Sequence, residues 1–78
     1  MKLLRGVSGA SLIHALEHFG YTIVRQKGSH VRLRNDVTPP HLITVPLHDP
    51  LKPGTLHGIR VEVSQMRSIT IESIIRLL

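Results

Sequence analysis

Residues Arg25 to Arg34 read Arg-Gln-Lys-Gly-Ser-His-Val-Arg-Leu-Arg and hold four of the chain's ten Lys and Arg residues and none of its five acids. Lys27-Gly28-Ser29 is a turn signal, because glycine takes up the positive φ that tight turns need without steric cost. After it, Val31 and Leu33 alternate with His30, Arg32 and Arg34. A period of two is the pattern of a half-buried strand, here with one apolar face and one face carrying a histidine flanked by cations. Upstream, Tyr21 to Gln26 is aromatic and β-branched, so it reads as the strand that the turn folds back. The stretch predicts an antiparallel hairpin. A titratable imidazole among fixed positive charges suits a polyanion whose phosphate needs a proton moved.

Working outward toward the N-terminus, Leu12, Ile13, Leu16 and Phe19 fall at helical spacing and make one apolar stripe. Ser8 is the expected N-cap and Gly20 the left-handed residue that stops the helix. His14 and His18 lie four apart on the other side and read as solvent-facing, since a zinc site needs a third ligand. Toward the C-terminus, Asp36 to Pro40 is a loop because Pro39 and Pro40 have no N–H for a ladder. His41 to Leu47 reads as a third strand with Ile43, Val45 and Leu47 inward, and Pro46 marks an edge or a strand end. His48 to Gly54 is a second loop.

Thr55 is the expected cap of a further helix containing Leu56 and Ile59. Gly58 and the alternating Val61-Glu62-Val63 leave a short strand open over residues 55–64. Thr70 caps a last helix in which Ile71, Ile74, Ile75 and Leu78 form one stripe. His41 and His57 are assigned structural roles. The predicted class is α+β, in the order α-β-β-β-α with an extra short element at 55–64. Helices should cover one face of a three-stranded antiparallel sheet and leave the other bare.

The length, 78 residues, allows one domain, 1–78, whose unfolded surface is only about 60% buried on folding. Leu, Ile and Val must fill its core, since Phe19 and Tyr21 are the only aromatics. The absence of cysteine removes disulfides and thiolate metal sites and fits the cytoplasm. The N-terminal apolar run is too short for a signal peptide, and no segment is expected to span a membrane. The net charge of +5 is confined to residues 1–34, which carry six Lys or Arg against Glu17, while residues 35–78 carry four charges of each sign. Such asymmetry reads as a footprint for nucleic acid or an acidic partner.

This order of elements, with Ser8-Gly9, Gly20-Tyr21, Arg25-Gln26-Lys27-Gly28-Ser29-His30, Val45-Pro46, His48 and Gly54-Thr55-Leu56, resembles the HicA-type toxins of bacterial toxin–antitoxin systems. The resemblance covers residues 8–56 and resumes in the last helix. It implies a double-stranded-RNA-binding-domain-like fold, metal-independent cleavage of messenger RNA, and a HicB-type antitoxin that holds the toxin inactive in a hetero-oligomer. The family's catalytic histidine corresponds to His30. In two places the chain departs from the family pattern. The region from His57 to Ile69 is longer and less helical, and Val31 stands where many members carry a polar residue or histidine.

RNA supplies its own nucleophile, the 2′-hydroxyl beside each phosphate. A protein can cleave it by taking that proton, protonating the leaving oxygen and stabilising the extra negative charge. Imidazole titrates near working pH, so His30 can serve as base or acid. Arg25, Lys27, Arg32 and Arg34 are the candidates for holding phosphate, with the backbone N–H groups of Gly28 and Ser29 as an anion-binding nest. His48 is the candidate second acid or base. Glu17, Asp36, Asp49, Glu62 and Glu72 are scattered, so no carboxylate cluster for magnesium is expected and no cofactor is called for. The leading function is a toxin that cleaves messenger RNA. The alternatives are a non-catalytic RNA-binding module and a decayed toxin acting only through its antitoxin. Tyr21 alone is available for base stacking, so RNA selection should be broad.

Overall fold

A computed structural model describes residues 6–78. The N-terminal run read above as lacking a signal peptide, with Lys2 and Arg5, lies outside the described residues. The elements are α1 (Gly9–His18), β1 (Thr22–Lys27), β2 (His30–Asn35), β3 (His41–Pro46), α2 (Pro53–Arg67) and α3 (Ile71–Ile75). The three strands form one antiparallel sheet in the order β1-β2-β3.

Helix α1 starts and stops where its sequence says. The Ser8 hydroxyl accepts the Ser11 N–H at 3.1 Å, a cap typically worth about 1 kcal/mol. At the other end Gly20 has φ +93°, its N–H donates to the Glu17 carbonyl at 3.1 Å, and the Tyr21 N–H donates to Leu16 at 3.2 Å. Those two bonds are a Schellman motif, which satisfies carbonyls the helix leaves orphaned. Leu12, Ile13, Ala15 and Leu16 are buried.

Val31, Leu33 and Asn35 of β2 stand opposite Val45, Ile43 and His41 of β3, and all six are buried. These apolar residues join Leu12, Ile13, Leu16, Leu56, Ile59, Val63 and Ile74 in one core. The helices therefore cover one face of the sheet and leave His30, Arg32 and Arg34 on the other. Leu47, expected inward, lies beyond the end of β3 and is 40% exposed, because Pro46 ends the strand and with it the alternation.

The C-terminal half corrects two expectations. Helix α2 begins at Pro53 rather than after Thr55, with Lys52 at the N-cap and no side-chain cap bond. Proline at the first helical position supplies a fixed φ and loses no bond there, so no capping hydroxyl is needed. The open alternative of a strand at 55–64 is overturned, since α2 continues to Arg67. Leu56, Ile59 and Val63, at i, i+3 and i+7, are buried on one face of it, and that apolar period outweighs the local alternation around Glu62. Ser68 then ends α2 in the left-handed region at φ 53°. Helix α3 is capped by Thr70, whose hydroxyl accepts the Ser73 N–H at 3.2 Å.

Two polar networks pin these elements. Asn35, fully buried, donates from Nδ2 to the Phe19 carbonyl at 3.0 Å and accepts on Oδ1 from Val37 N–H at 2.9 Å and from Arg67 at 2.7 Å. Arg67 also donates to the carbonyls of Val37, at 2.8 Å, and Pro39, so the end of α2 clamps the β2–β3 loop. In the second network the Tyr21 hydroxyl lies 2.6 Å from His41 Nδ1, and His41 Nε2 lies 2.7 Å from a Glu62 carboxylate oxygen. A carboxylate only accepts, so Nε2 carries a proton and donates to Glu62, while Nδ1 and the Tyr21 hydroxyl share the other hydrogen bond. His41 thus has the structural role expected of it, tying the start of β1 to α2.

Candidate functional site

The hairpin closes with Lys27 opposite His30, leaving a two-residue loop of Gly28 and Ser29. Gly28 has φ +57° and nothing within 4 Å of where a Cβ would stand. Its requirement is therefore conformational, a positive φ at the first loop position as in a type II′ turn. The Gln26 side chain donates to the Gly28 carbonyl at 3.2 Å and holds the loop from the strand side.

Residues directly opposite in an antiparallel ladder project to the same face. Lys27 therefore joins His30 on the open face, Arg25 joins Arg32, and Thr22 joins Arg34. From the other side Pro46, Thr44 and Leu42 stand opposite His30, Arg32 and Arg34. A bulge between Ile23 and Arg25 makes this arrangement possible. In an unbroken strand Tyr21, Ile23, Arg25 and Lys27 would all share one face. The extra residue, Val24, switches the phase. Tyr21 enters the core and Ile23 pairs with Leu33 on the helix side, while both cations turn outward. That conflict in alternation is the one local hint of the bulge.

The resulting centre is a square of Lys27, His30, Arg25 and Arg32, with neighbours about 5 Å apart across the strands and about 7 Å along them. All four side chains are exposed. Like charges directly opposite destabilise a sheet by up to about 1 kcal/mol, so the Arg25–Arg32 juxtaposition favours an anion laid between them. Arg32 also donates to the Thr44 hydroxyl at 3.3 Å, an orienting contact that sequence reasoning missed. Strict alternation along β3 places Thr44 outward and was the available signal. Arg34 is paired with Asp36, so it is less free than the other cations.

The segment after β3 is strapped beside this square. The Leu47 N–H donates to the Ser29 carbonyl at 2.6 Å, and the Gly9 N–H donates to the His48 carbonyl at 2.9 Å. Gly9 packs so closely that a Cβ would sit 1.9 Å from the Pro46 carbonyl oxygen. His48 is exposed in this segment, two residues beyond the partner of His30. No side-chain hydrogen bond joins the two imidazoles among the described residues. His14, His18 and His57 are exposed elsewhere. No group of three or more His, Asp or Glu residues among those described converges to hold a metal ion.

Residues 9–76 match the family model described as the HicA toxin of bacterial toxin–antitoxin systems. The chain belongs to the HicA toxin family. That match spans the hairpin, the strapped segment and all three helices, and it runs through the region from His57 to Ile69 that was expected to be less helical, which α2 instead makes helical as far as Arg67. No curated protein and no solved structure shows a significant match to this HicA-family chain. None of its described helices is long and apolar enough to cross a membrane.

Proposed function

We propose that this HicA-family toxin is an endoribonuclease that cuts messenger RNA without a divalent metal, using His30 as its catalytic acid or base. It works in the cytoplasm as one domain with a double-stranded-RNA-binding-domain-like fold, and a HicB-type antitoxin holds it inactive in a hetero-oligomer. The observation that supports the reading is the square itself: an exposed imidazole standing beside three cations on a sheet face that no described helix covers.

A phosphodiester drawn between Arg25 and Arg32 would bring its neighbouring ribose toward His30. Removing the 2′-hydroxyl proton lets that oxygen attack the phosphorus, and the 5′-oxygen leaves after accepting a proton. Lys27, Arg25 and Arg32 stabilise the charge that accumulates on the phosphoryl oxygens. His48 is the candidate for the second proton transfer, and Arg34 with the N–H groups of Gly28 and Ser29 extends the phosphate track. The products would carry a 2′,3′-cyclic phosphate and a 5′-hydroxyl.

The test is to incubate the protein with RNA in excess chelator and identify the new ends. Cleavage with those ends, and none at a 2′-deoxy position, is the expected result. Binding without products would leave a non-catalytic module, and neither binding nor products would leave a toxin acting only through its antitoxin.

A further inference from the structure

Strand β1 is exposed along all six of its residues. Ile23 shares a face with Leu33, yet Ile23 is 50% exposed and Leu33 is 0% exposed, so the helix layer ends between β2 and β1. Val24, the bulged residue, is 52% exposed. Among the described residues β1 therefore has three uncovered aspects: an apolar underside at Ile23, a cationic upper side at Arg25 and Lys27, and an outer edge with no strand beside it.

From this we infer that β1 is a docking edge for an extended segment of a partner protein, which adds a fourth strand to the sheet. The segment carries two acidic residues two positions apart, facing Arg25 and Lys27, and an apolar residue on its other face, against Ile23. Three observations select this occupant. An unpaired strand edge presents alternating N–H donors and C=O acceptors, which another peptide backbone complements and a polyphosphate, an acceptor throughout, does not. Cross-strand neighbours meet at Cβ separations of about 4.5–5.5 Å, so acids at i and i+2 fall into register with the two cations. A second copy of this chain is disfavoured, because antiparallel pairing of two β1 strands would bring Arg25 and Lys27 of one alongside the same cations of the other.

The proposal does not depend on RNA cleavage. The experiment titrates the isotope-labelled protein with a blocked octapeptide of alternating valine and glutamate, following amide shifts and hydrogen exchange. A valine–lysine peptide serves as control. The expected result is shifts and slowed exchange over Thr22–Lys27 with the glutamate peptide only. Ile23→Ser should weaken that binding roughly tenfold, for the loss of half-exposed apolar surface that docking would cover. Three results would overturn the proposal: no response at millimolar peptide, an equal response to both peptides, or shifts confined to Arg32 and Arg34 with β1 exchange unchanged. Concentration-dependent β1 shifts in the protein alone would assign the edge to self-association instead. Cleavage assays on His30 read the RNA proposal separately, so either can fail without the other.

Discussion

Replacing Asn35 by Ala tests how the far end of β2 is held. The side chain is 0% exposed and makes three hydrogen bonds, to the Phe19 carbonyl, the Val37 N–H and the Arg67 guanidinium. A neutral bond contributes about 1 kcal/mol and a bond to a charged group about 1.5–3 kcal/mol. Val37 is exposed and recovers its bond from water, while the Phe19 carbonyl and one Arg67 N–H lose theirs. Arg67 keeps its bonds to the Val37 and Pro39 carbonyls, which lowers its share of the loss. The expected cost is about 3 kcal/mol. For a domain of this size each kcal/mol moves the melting temperature by about 4–8 °C, so Tm should fall by about 12–24 °C. The assay is thermal melting by circular dichroism of Asn35→Ala, Arg67→Ala and the double variant. Because the two residues share a bond, the double variant should be less destabilised than the sum of the singles by about 1 kcal/mol. Below its melting range Asn35→Ala should bind RNA as the parent does, since Asn35 faces away from the basic square. A Tm within two or three degrees of the parent, or strict additivity, would refute the hub.

Other outcomes follow from single contacts. Gly9→Ala should cost at least about 2 kcal/mol, because its Cβ meets the Pro46 carbonyl at 1.9 Å. Gly58→Ala, with nothing within 4 Å on the exposed side of α2, should instead stabilise by up to about 1 kcal/mol; equal Tm shifts for the pair would remove the close-packing argument. Burial raises the Tyr21 phenol above its ordinary 10.0, with Arg67 opposing and Glu62 adding to the shift. The native fold thus keeps a proton that the unfolded chain releases, so this stability is full below about pH 10 and is lost as pH rises through the folded value. Tyr21→Phe should lose about 1 kcal/mol at neutral pH for the His41 bond, yet decline less steeply in alkali; parallel denaturation midpoints against pH would contradict this. Arg32→Ala should weaken RNA binding and reduce the slope of log K against log salt by about 0.7, one single-strand phosphate contact, and an unchanged slope would place the phosphate elsewhere.

Much of the fold can be read from local chemistry. Ser8, Gly20 and Thr70 punctuate helices where a cap hydroxyl or a positive φ is required, and the Gly28-Ser29 turn dictates the hairpin. The parts that escape such reading depend on contacts distant in sequence. Val61-Glu62-Val63 alternates like a strand, and only the burial of Leu56, Ile59 and Val63 against the sheet makes it helical. The start of α2 is missed because Thr55 is the better hydroxyl cap while Pro53 is the better first residue. Nor does Leu47 announce that the strand has ended one residue before it. His41 looks like any strand histidine until Tyr21 and Glu62 close on it from positions 20 and 21 residues away. Of the candidate site, the outward row on β2 follows from its period. The bulge that turns Arg25 and Lys27 to the same side, and the Arg32–Thr44 contact, exist only once the register is known.

The most direct measurement is the rate of RNA cleavage by His30→Ala, expressed without antitoxin and made alongside the parent. His30 is exposed on the open face, so the variant should melt close to the parent and retain RNA affinity. Losing general acid–base catalysis should slow cleavage by about 10²- to 10⁴-fold and abolish growth inhibition. A folded His30→Ala protein that cuts RNA at the parental rate would contradict the account and leave the basic square as a binding surface alone.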